Sequence, residues 1–428
     1  MKYLSYIFLF LSSIAYATPP SNDQLGDKNP DLYDILDGWR DHKLEKKKEK
    51  YQAEGLSKEQ VDKKLKQDDL KQEKELNEQR TFFAGAPFLG YNPYTSLLIG
   101  AGANVSTYFG DKETTNLSAF NIMGFYSINS QMSLRLINQV YFPDNKLFLT
   151  GYAQWSDSPG NTFGLGGNTP NSNGFELERG FIKMNQNILF RIANNLYLGP
   201  NVTLDRRYKI RPSDEIPEDL DDNQTAYNDL LQDIWYSYDY GTDGNAYTLI
   251  GGGVTLIYDS RDNVNSPYKG YYFNANYQYM GGDYTFNLIN LEYRHYIQLY
   301  NKRNILAFWA MANLSYGDTP YDSLPANGLD PMFASARGYI SRRYTGEEYL
   351  YGEVEYRRNI YKWFGMTTFF SAHSVTQPVD NDFVYVNPAG GLGARFKFSK
   401  KARTALAIDF GWGKDGSNGM YFRFTDAF

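Results

Sequence analysis

Residues 271–279 read Tyr271-Tyr272-Phe273-Asn274-Ala275-Asn276-Tyr277-Gln278-Tyr279. The odd positions are aromatic or apolar, and the even positions carry Tyr272, Asn274, Asn276 and Gln278. Because successive side chains of a strand point to opposite faces, this segment predicts a strand with one face for hydrocarbon and the other for water. Residues 288–299 repeat the pattern, with Ile289, Leu291, Tyr293, Ile297 and Leu299 set against Asn290, Glu292, Arg294 and Gln298. His295 falls on the lipid side, near an interface. In 404–413, Thr404, Leu406, Ile408, Phe410 and Trp412 oppose Ala405, Ala407, Asp409, Gly411 and Gly413. The last stretch alternates Met420, Phe422 and Phe424, expected outward, with Tyr421 and Arg423. Period two with charges confined to one face predicts a transmembrane β-barrel.

Working outward, such segments recur from Phe82 to the end, separated by clusters of Asn, Asp, Gly and Pro. About sixteen can be counted, the first near 82–91 and the last near 418–428. An even, closed, antiparallel cylinder leaves no backbone group unpaired in hydrocarbon. Turn lengths orient it. The tight turns Asn129-Ser130, Ala193-Asn194-Asn195, 301–304 and 400–403 are assigned to the periplasm, and the long loops 211–245 and 318–346 to the outside.

The composition agrees. Aromatic residues are 17% of the 428, with 38 Tyr, 28 Phe and 38 Gly, while a mean hydropathy of -0.55 excludes a bundle of apolar helices. Beyond the N-terminus no run reaches the roughly 18 apolar residues of a spanning helix. Met1-Lys2, the apolar run Leu4 to Ile14 and Ala15-Tyr16-Ala17 form a secretory signal, 1–17, with cleavage after Ala17. The alternative, a retained anchor, would need a longer run. There is no Cys, so an exported chain risks no wrong disulfide and offers no lipoprotein acylation site. A net charge of -6 gives no basic footprint for nucleic acid.

Residues 18–81 are crowded with Lys, Glu, Asp and Gln. Gly55 followed by Ser57 and Gln60 predicts a helix stop and then a capping box, hence two helices, about 31–54 and 57–80. Their apolar positions, such as Leu65, Leu70 and Leu76, are too sparse to bury themselves. This charged helical segment is a plug, a periplasmic arm that docks a partner, or a solvated spacer.

Two clusters stand out on the barrel. Asp259-Ser260-Arg261-Asp262 follows Tyr258 at a strand end, with Pro267 and Gly270 beyond. It either cross-links a turn and its neighbours by charge-assisted hydrogen bonds or is a polar turn. Arg337-Gly338-Tyr339 lies in the long loop before the twelfth strand, whose inward parity carries Glu353, Glu355 and Arg357. Arg337 either folds into the lumen to pair with Glu355, with Glu353 beside it, or is an exposed loop residue.

On these residues the barrel resembles the BamA/TamA outer-membrane assembly and translocation superfamily, the bacterial surface antigen family. Its barrels carry an Arg-Gly-Tyr or Arg-Gly-Phe loop tip, matched by Arg337, Gly338 and Tyr339. They also carry a Tyr-Asp-Thr/Ser-Arg-Asp motif with a later Pro and Gly, matched by Tyr258 to Asp262, Pro267 and Gly270. Residues 391–396 and 405–413 are similar to its last strands, and Gly419, Phe422, Phe424 and Phe428 match its C-terminal assembly signal. The resemblance covers about 82–428. It implies sixteen strands, a loop arginine touching lumen carboxylates of which Glu355 matches one, and insertion by a barrel assembly machinery. Where the family has an Asp on the thirteenth strand, this chain has Ser371 and His373. The chain resembles a short member lacking the periplasmic repeat domains.

Other chemistry is thin. Three His (His42, His295 and His373) and no Cys leave no transition-metal cluster. Gly-x-Gly fragments lack a following helix, and no cofactor is expected. His373 with Ser371 and Ser374 is the one local candidate for hydrolysis, and a chance grouping is its alternative; the chain is expected not to be an enzyme. The acidic loop with Asp214, Glu215, Glu218, Asp219, Asp221 and Asp222 either binds a divalent cation or is simply solvated. The expected function is outer-membrane biogenesis, protein insertion or translocation. The alternatives are a passive pore for small solutes, or a docking barrel whose N-terminal arm recruits a periplasmic partner. The expected surroundings are the outer-membrane bilayer, the periplasm at the N-terminal segment and a periplasmic client.

Overall fold

The computed structural model describes residue 48 and residues 50–67, 80–92, 96–170, 174–212, 246–300, 303–332, 334–361, 363–378, 380–399, 402–426 and 428. The expected signal peptide, most of the charged segment and the acidic loop lie outside the described residues.

The strands are β1 (Thr81–Asn92), β2 (Ser96–Thr107), β3 (Ser118–Ser127), β4 (Met132–Tyr141), β5 (Leu147–Asp157), β6 (Gly160–Thr162), β7 (Phe175–Ala193), β8 (Leu196–Pro212), β9 (Tyr247–Asp259), β10 (Gly270–Gly282), β11 (Phe286–Leu299), β12 (Asn304–Gly317), β13 (Glu348–Asn359), β14 (Phe364–Val375), β15 (Asn387–Ser399), β16 (Thr404–Trp412) and β17 (Asn418–Arg423). All seventeen belong to one antiparallel sheet. β5 pairs directly with β7, and the three-residue β6 only extends the far end of β7. The wall therefore has sixteen strands, as expected.

Alternation builds the two faces. On β10, Tyr271, Tyr277 and Tyr279 are exposed, while Tyr272, Asn276 and Gln278 are buried inward. The exterior carries Ile99, Ile122, Ile182, Val202, Ile250 and Phe370, all exposed, as lipid contact requires. Inside, neutral polar groups satisfy one another. Asn276 Nδ2 donates to Thr255 Oγ1 at 2.6 Å, and Gln278 Nε2 to Asn201 Oδ1 at 2.9 Å. His295 stacks on Tyr271 at 4.2 Å on the outer face.

Three expectations need correction. First, strand parity puts the Asn129-Ser130 turn between β3 and β4 at the same end as the long loops, not opposite them. Turn length does not report the side here, because 260–269 is longer than 283–285 although it lies at the other end. Secondly, the cylinder is not fully laddered. Among the described residues no register joins β1 to β17; the two edges meet through side chains, with Phe88 and Phe422 stacked at 5.4 Å. The reason is length, since β17 keeps only six paired residues against β16 and then leaves the sheet. Thirdly, Phe424 does not face lipid but is buried among Ala84 and Phe398. Phe428 is buried too, with Trp309 and Tyr296.

In the charged segment, residues 58–67 are helical and Gly55 has φ of +76°. Ser57 N donates to Gln60 Oε1 at 2.9 Å and Gln60 N to Ser57 Oγ at 3.4 Å. This is the reciprocal capping box expected from the sequence.

Candidate functional site

The loop between β12 and β13 turns into the lumen. Parity on β13 sends Tyr351, Glu353, Glu355 and Arg357 inward, all buried. Arg337 reaches them with a fully buried side chain. Its Nη2 donates to Glu353 Oε1 at 2.5 Å and to Glu355 Oε2 at 2.7 Å, and its Nη1 donates to Asp409 Oδ2 at 2.6 Å. The guanidinium also lies 3.6 Å over the Phe369 ring. A planar fork fits this arrangement, because two nitrogens aim at separate carboxylates while the face stacks on an aromatic.

Both proposed partners are therefore present. The third, Asp409 on β16, was legible as inward but not as a partner, since β13 and β16 are separated by two strands. Ser371, at the position where the resemblance would put an Asp, sits opposite Glu353 in the register and is buried. Asp409 supplies the carboxylate from further round the wall.

Glu355 and Asp409 are held by further cations. Arg357 Nε donates to Glu355 at 2.6 Å, Arg395 Nη1 donates to Asp409 at 2.5 Å, and Arg423 on β17 pairs with Asp409. Asp426 accepts from Arg395 Nε at 2.8 Å and from Arg357 Nη1 at 3.3 Å. Four arginines thus bind four carboxylates across β13, β15, β16, β17 and the tail. Buried charges persist only when paired and hydrogen-bonded in this way.

Gly338 and Tyr339 fasten the loop tip to the last strands. Gly338 N donates to Tyr421 Oη at 2.9 Å, and Tyr421 Oη donates to Tyr339 O at 3.1 Å. Tyr339 Oη donates to Pro388 O at 2.6 Å and accepts from Lys414 N at 2.8 Å. The tip is joined to β15, to the β16–β17 turn and to β17.

At the opposite end, Asp259 forms a buried bidentate pair with Arg261, Nε to Oδ1 at 2.9 Å and Nη2 to Oδ2 at 2.7 Å. Tyr141 Oη on β4 donates to Asp259 Oδ2 at 2.6 Å. Asp262 accepts from Tyr268 N at 2.9 Å and pairs with Arg403 at 2.7 Å. The cluster's contacts join β4, β9 and two turns.

Of the terminal residues, Gly419 pairs with Gly411 and Phe422 with Ile408. Phe428 lies 5.0 Å from Trp309, and its carbonyl accepts from Arg357 Nη2 at 3.0 Å. His373 packs in a box of Tyr339, Tyr344 and Tyr349. Among the described residues neither ring nitrogen has a hydrogen-bond partner, and Ser374 Oγ donates instead to Tyr385 O.

No family model matches the chain, and no curated protein matches it. Among solved structures it is similar to BamA from Haemophilus ducreyi lacking POTRA domains 1-3, with a TM-score of 0.45 and 13% identity over 80% of this chain and 69% of that one. It is also similar to CdiB from Acinetobacter baumannii, with a TM-score of 0.46 and 12% identity over 80% of this chain and 59% of that one. The described residues form a sixteen-stranded antiparallel β-barrel with an apolar outer face. In this barrel the inward loop, the ion network and the short last strand converge on one seam.

Proposed function

We propose that this barrel is a non-enzymatic member of the BamA/TamA superfamily that acts in outer-membrane biogenesis, by protein insertion or translocation. The observation that carries the reading is the seam. β1 and β17 touch without a ladder, while Arg337, Gly338 and Tyr339 hold β16 and β17 from inside. An edge with free backbone groups is a template for pairing with another strand. In hydrocarbon those groups need a partner, so an incoming strand gains the full value of each bond. The loop tip would position the edge, and its release would let the seam widen.

The filled lumen weighs against a passive pore, since Tyr321, Asn327, Arg337 and Thr345 of the loop are buried inside the barrel. The test is depletion in the native host followed by a census of outer-membrane proteins, together with a locked seam. Phe88→Cys with Phe422→Cys places two thiols where rings now stack, in a chain with no other Cys. Oxidation is expected to abolish complementation, and reductant to restore it. An unchanged outer-membrane proteome on depletion, with a stable conductance in planar bilayers, favours the pore instead.

A further inference from the structure

The lumen wall beside the seam holds a cavity of about 340 Å³ bordered by Tyr339, Tyr421 and Arg423. Its floor is a single register row. Phe88 faces Gly100, Gly100 faces Phe125, Phe125 faces Ser133, Ser133 faces Ser156, and Ser156 faces Phe181. Gly100, Ser133 and Ser156 leave room between Phe88, Phe125 and Phe181; a Cβ on Gly100 would fall 2.4 Å from the Phe88 ring. Leu98 and Met123 widen the apolar surface. The rest of the lumen wall carries Asn, Gln, Thr and ion pairs together with buried apolar clusters such as Leu249, Met280 and Phe286.

The far side is cationic. Arg179, Lys183, Arg207, Arg342 and Arg423 line the cavity, with Asp322 as its one lining carboxylate. Asp205 and Asp409 pair from behind, and Asp409 is shared with Arg337 and Arg395. Arg423 is 3% exposed, yet its Nε and Nη1 have no hydrogen-bond partner among the described residues. Buried donors of this kind call for an acceptor. Met420 and Phe422 of β17 close the cavity on the seam side, so the unladdered edge gives a path from the membrane.

We propose that this cavity binds one anionic acyl chain. The tail lies along Phe88, Phe125 and Phe181, the carboxylate or phosphate head meets Arg423 and Arg342, and entry is lateral through the seam. The volume is that of a small-ligand pocket, so it takes one acyl chain, and the second chain of a diacyl lipid would stay in the membrane at the seam. This goes beyond the proposed role in biogenesis and stands or falls separately from it.

The test uses the full chain in neutral detergent with fluorescent parinarate as reporter. Laurate is expected to displace it and dodecanol is not, because only the first carries charge. Native mass spectrometry from phosphatidylglycerol and phosphatidylcholine nanodiscs separates the sources. Retention of phosphatidylglycerol with inactive laurate assigns the head to a membrane lipid, and displacement by laurate alone assigns it to a free fatty acid. Arg342→Gln and Met123→Gln are each expected to weaken binding by about tenfold. Equal displacement by dodecanol overturns the proposal. So does absence of both laurate and phosphatidylglycerol binding, which the wild-type chain alone decides. Unchanged affinity in both variants, in barrels that keep heat-modifiable migration, overturns it as well.

Discussion

Gly338 in the lumen loop and Gly411 on β16 lie backbone to backbone: a Cβ on Gly411 would fall 2.7 Å from Gly338 N. Gly338 itself has φ of +114°, and a Cβ there would fall 2.7 Å from the Trp412 carbonyl carbon. Neither side can carry a side chain without lifting the loop from the strand.

Gly411→Ala should therefore dislodge the tip without touching the charges. Gly338→Ala adds left-handed strain of about 1 kcal/mol or more to the clash. Both variants are expected to convert to the unfolded gel species at lower temperature than the wild type, Gly338→Ala lower still. Unchanged heat-modifiability in both would mean that the loop is not pinned where the structure puts it.

Arg337→Ala leaves Glu353, Glu355 and Asp409 short of a shared cation. Breaking a desolvated pair costs about 3–5 kcal/mol, with lumen water reducing it. Arg337→Lys should recover only part, since one ammonium cannot reproduce the fork. The measure is protease resistance of the 318–347 loop in folded barrels, and equal resistance in the Lys and Ala variants would argue against a geometric role.

Asp259→Asn removes the charge that Arg261 and Tyr141 share. Charge-assisted hydrogen bonds contribute about 1.5–3 kcal/mol each, so barrel stability in urea should fall by an amount of that order. Asp262→Asn, which pairs near the surface with Arg403, should cost less. The reverse ranking would reassign the anchor of the motif.

Asp322, in the inward loop, gives a pH dependence. Burial alone would raise its carboxyl above the ordinary 3.8, but Arg342, Arg179 and Arg207 outweigh burial and hold it below that value. A depressed folded value means the stabilisation is complete at neutral pH and is lost as pH falls below the ordinary carboxylate range. Acid should loosen the loop in wild type, and Asp322→Asn should be looser at neutral pH and flatter in acid. A wild-type loop indifferent to acid, with the variant equally stable, contradicts this.

Much of this was legible along the chain. Tyr271 to Tyr279 displayed both faces of β10, Glu353 and Glu355 were placed inward by parity, and Ser57 with Gln60 marked the helix start. Asp409 was visible as inward, yet its meeting with Arg337 needs the curvature that brings β16 round to β13. Phe424 continued the outward alternation on paper. It turns inward because β17 ends at Arg423 and its ring finds Phe398.

The amino-acid sequence alone determined the barrel, its strand number and its faces, because lipid and water select each side chain independently of distant neighbours. The tertiary structure decided where the seam stays unladdered, which four acids share the arginines, and how Phe, Gly and Ser of one register row hollow a cavity. Those properties depend on register and curvature between strands far apart in the chain, and no single stretch of sequence encodes them.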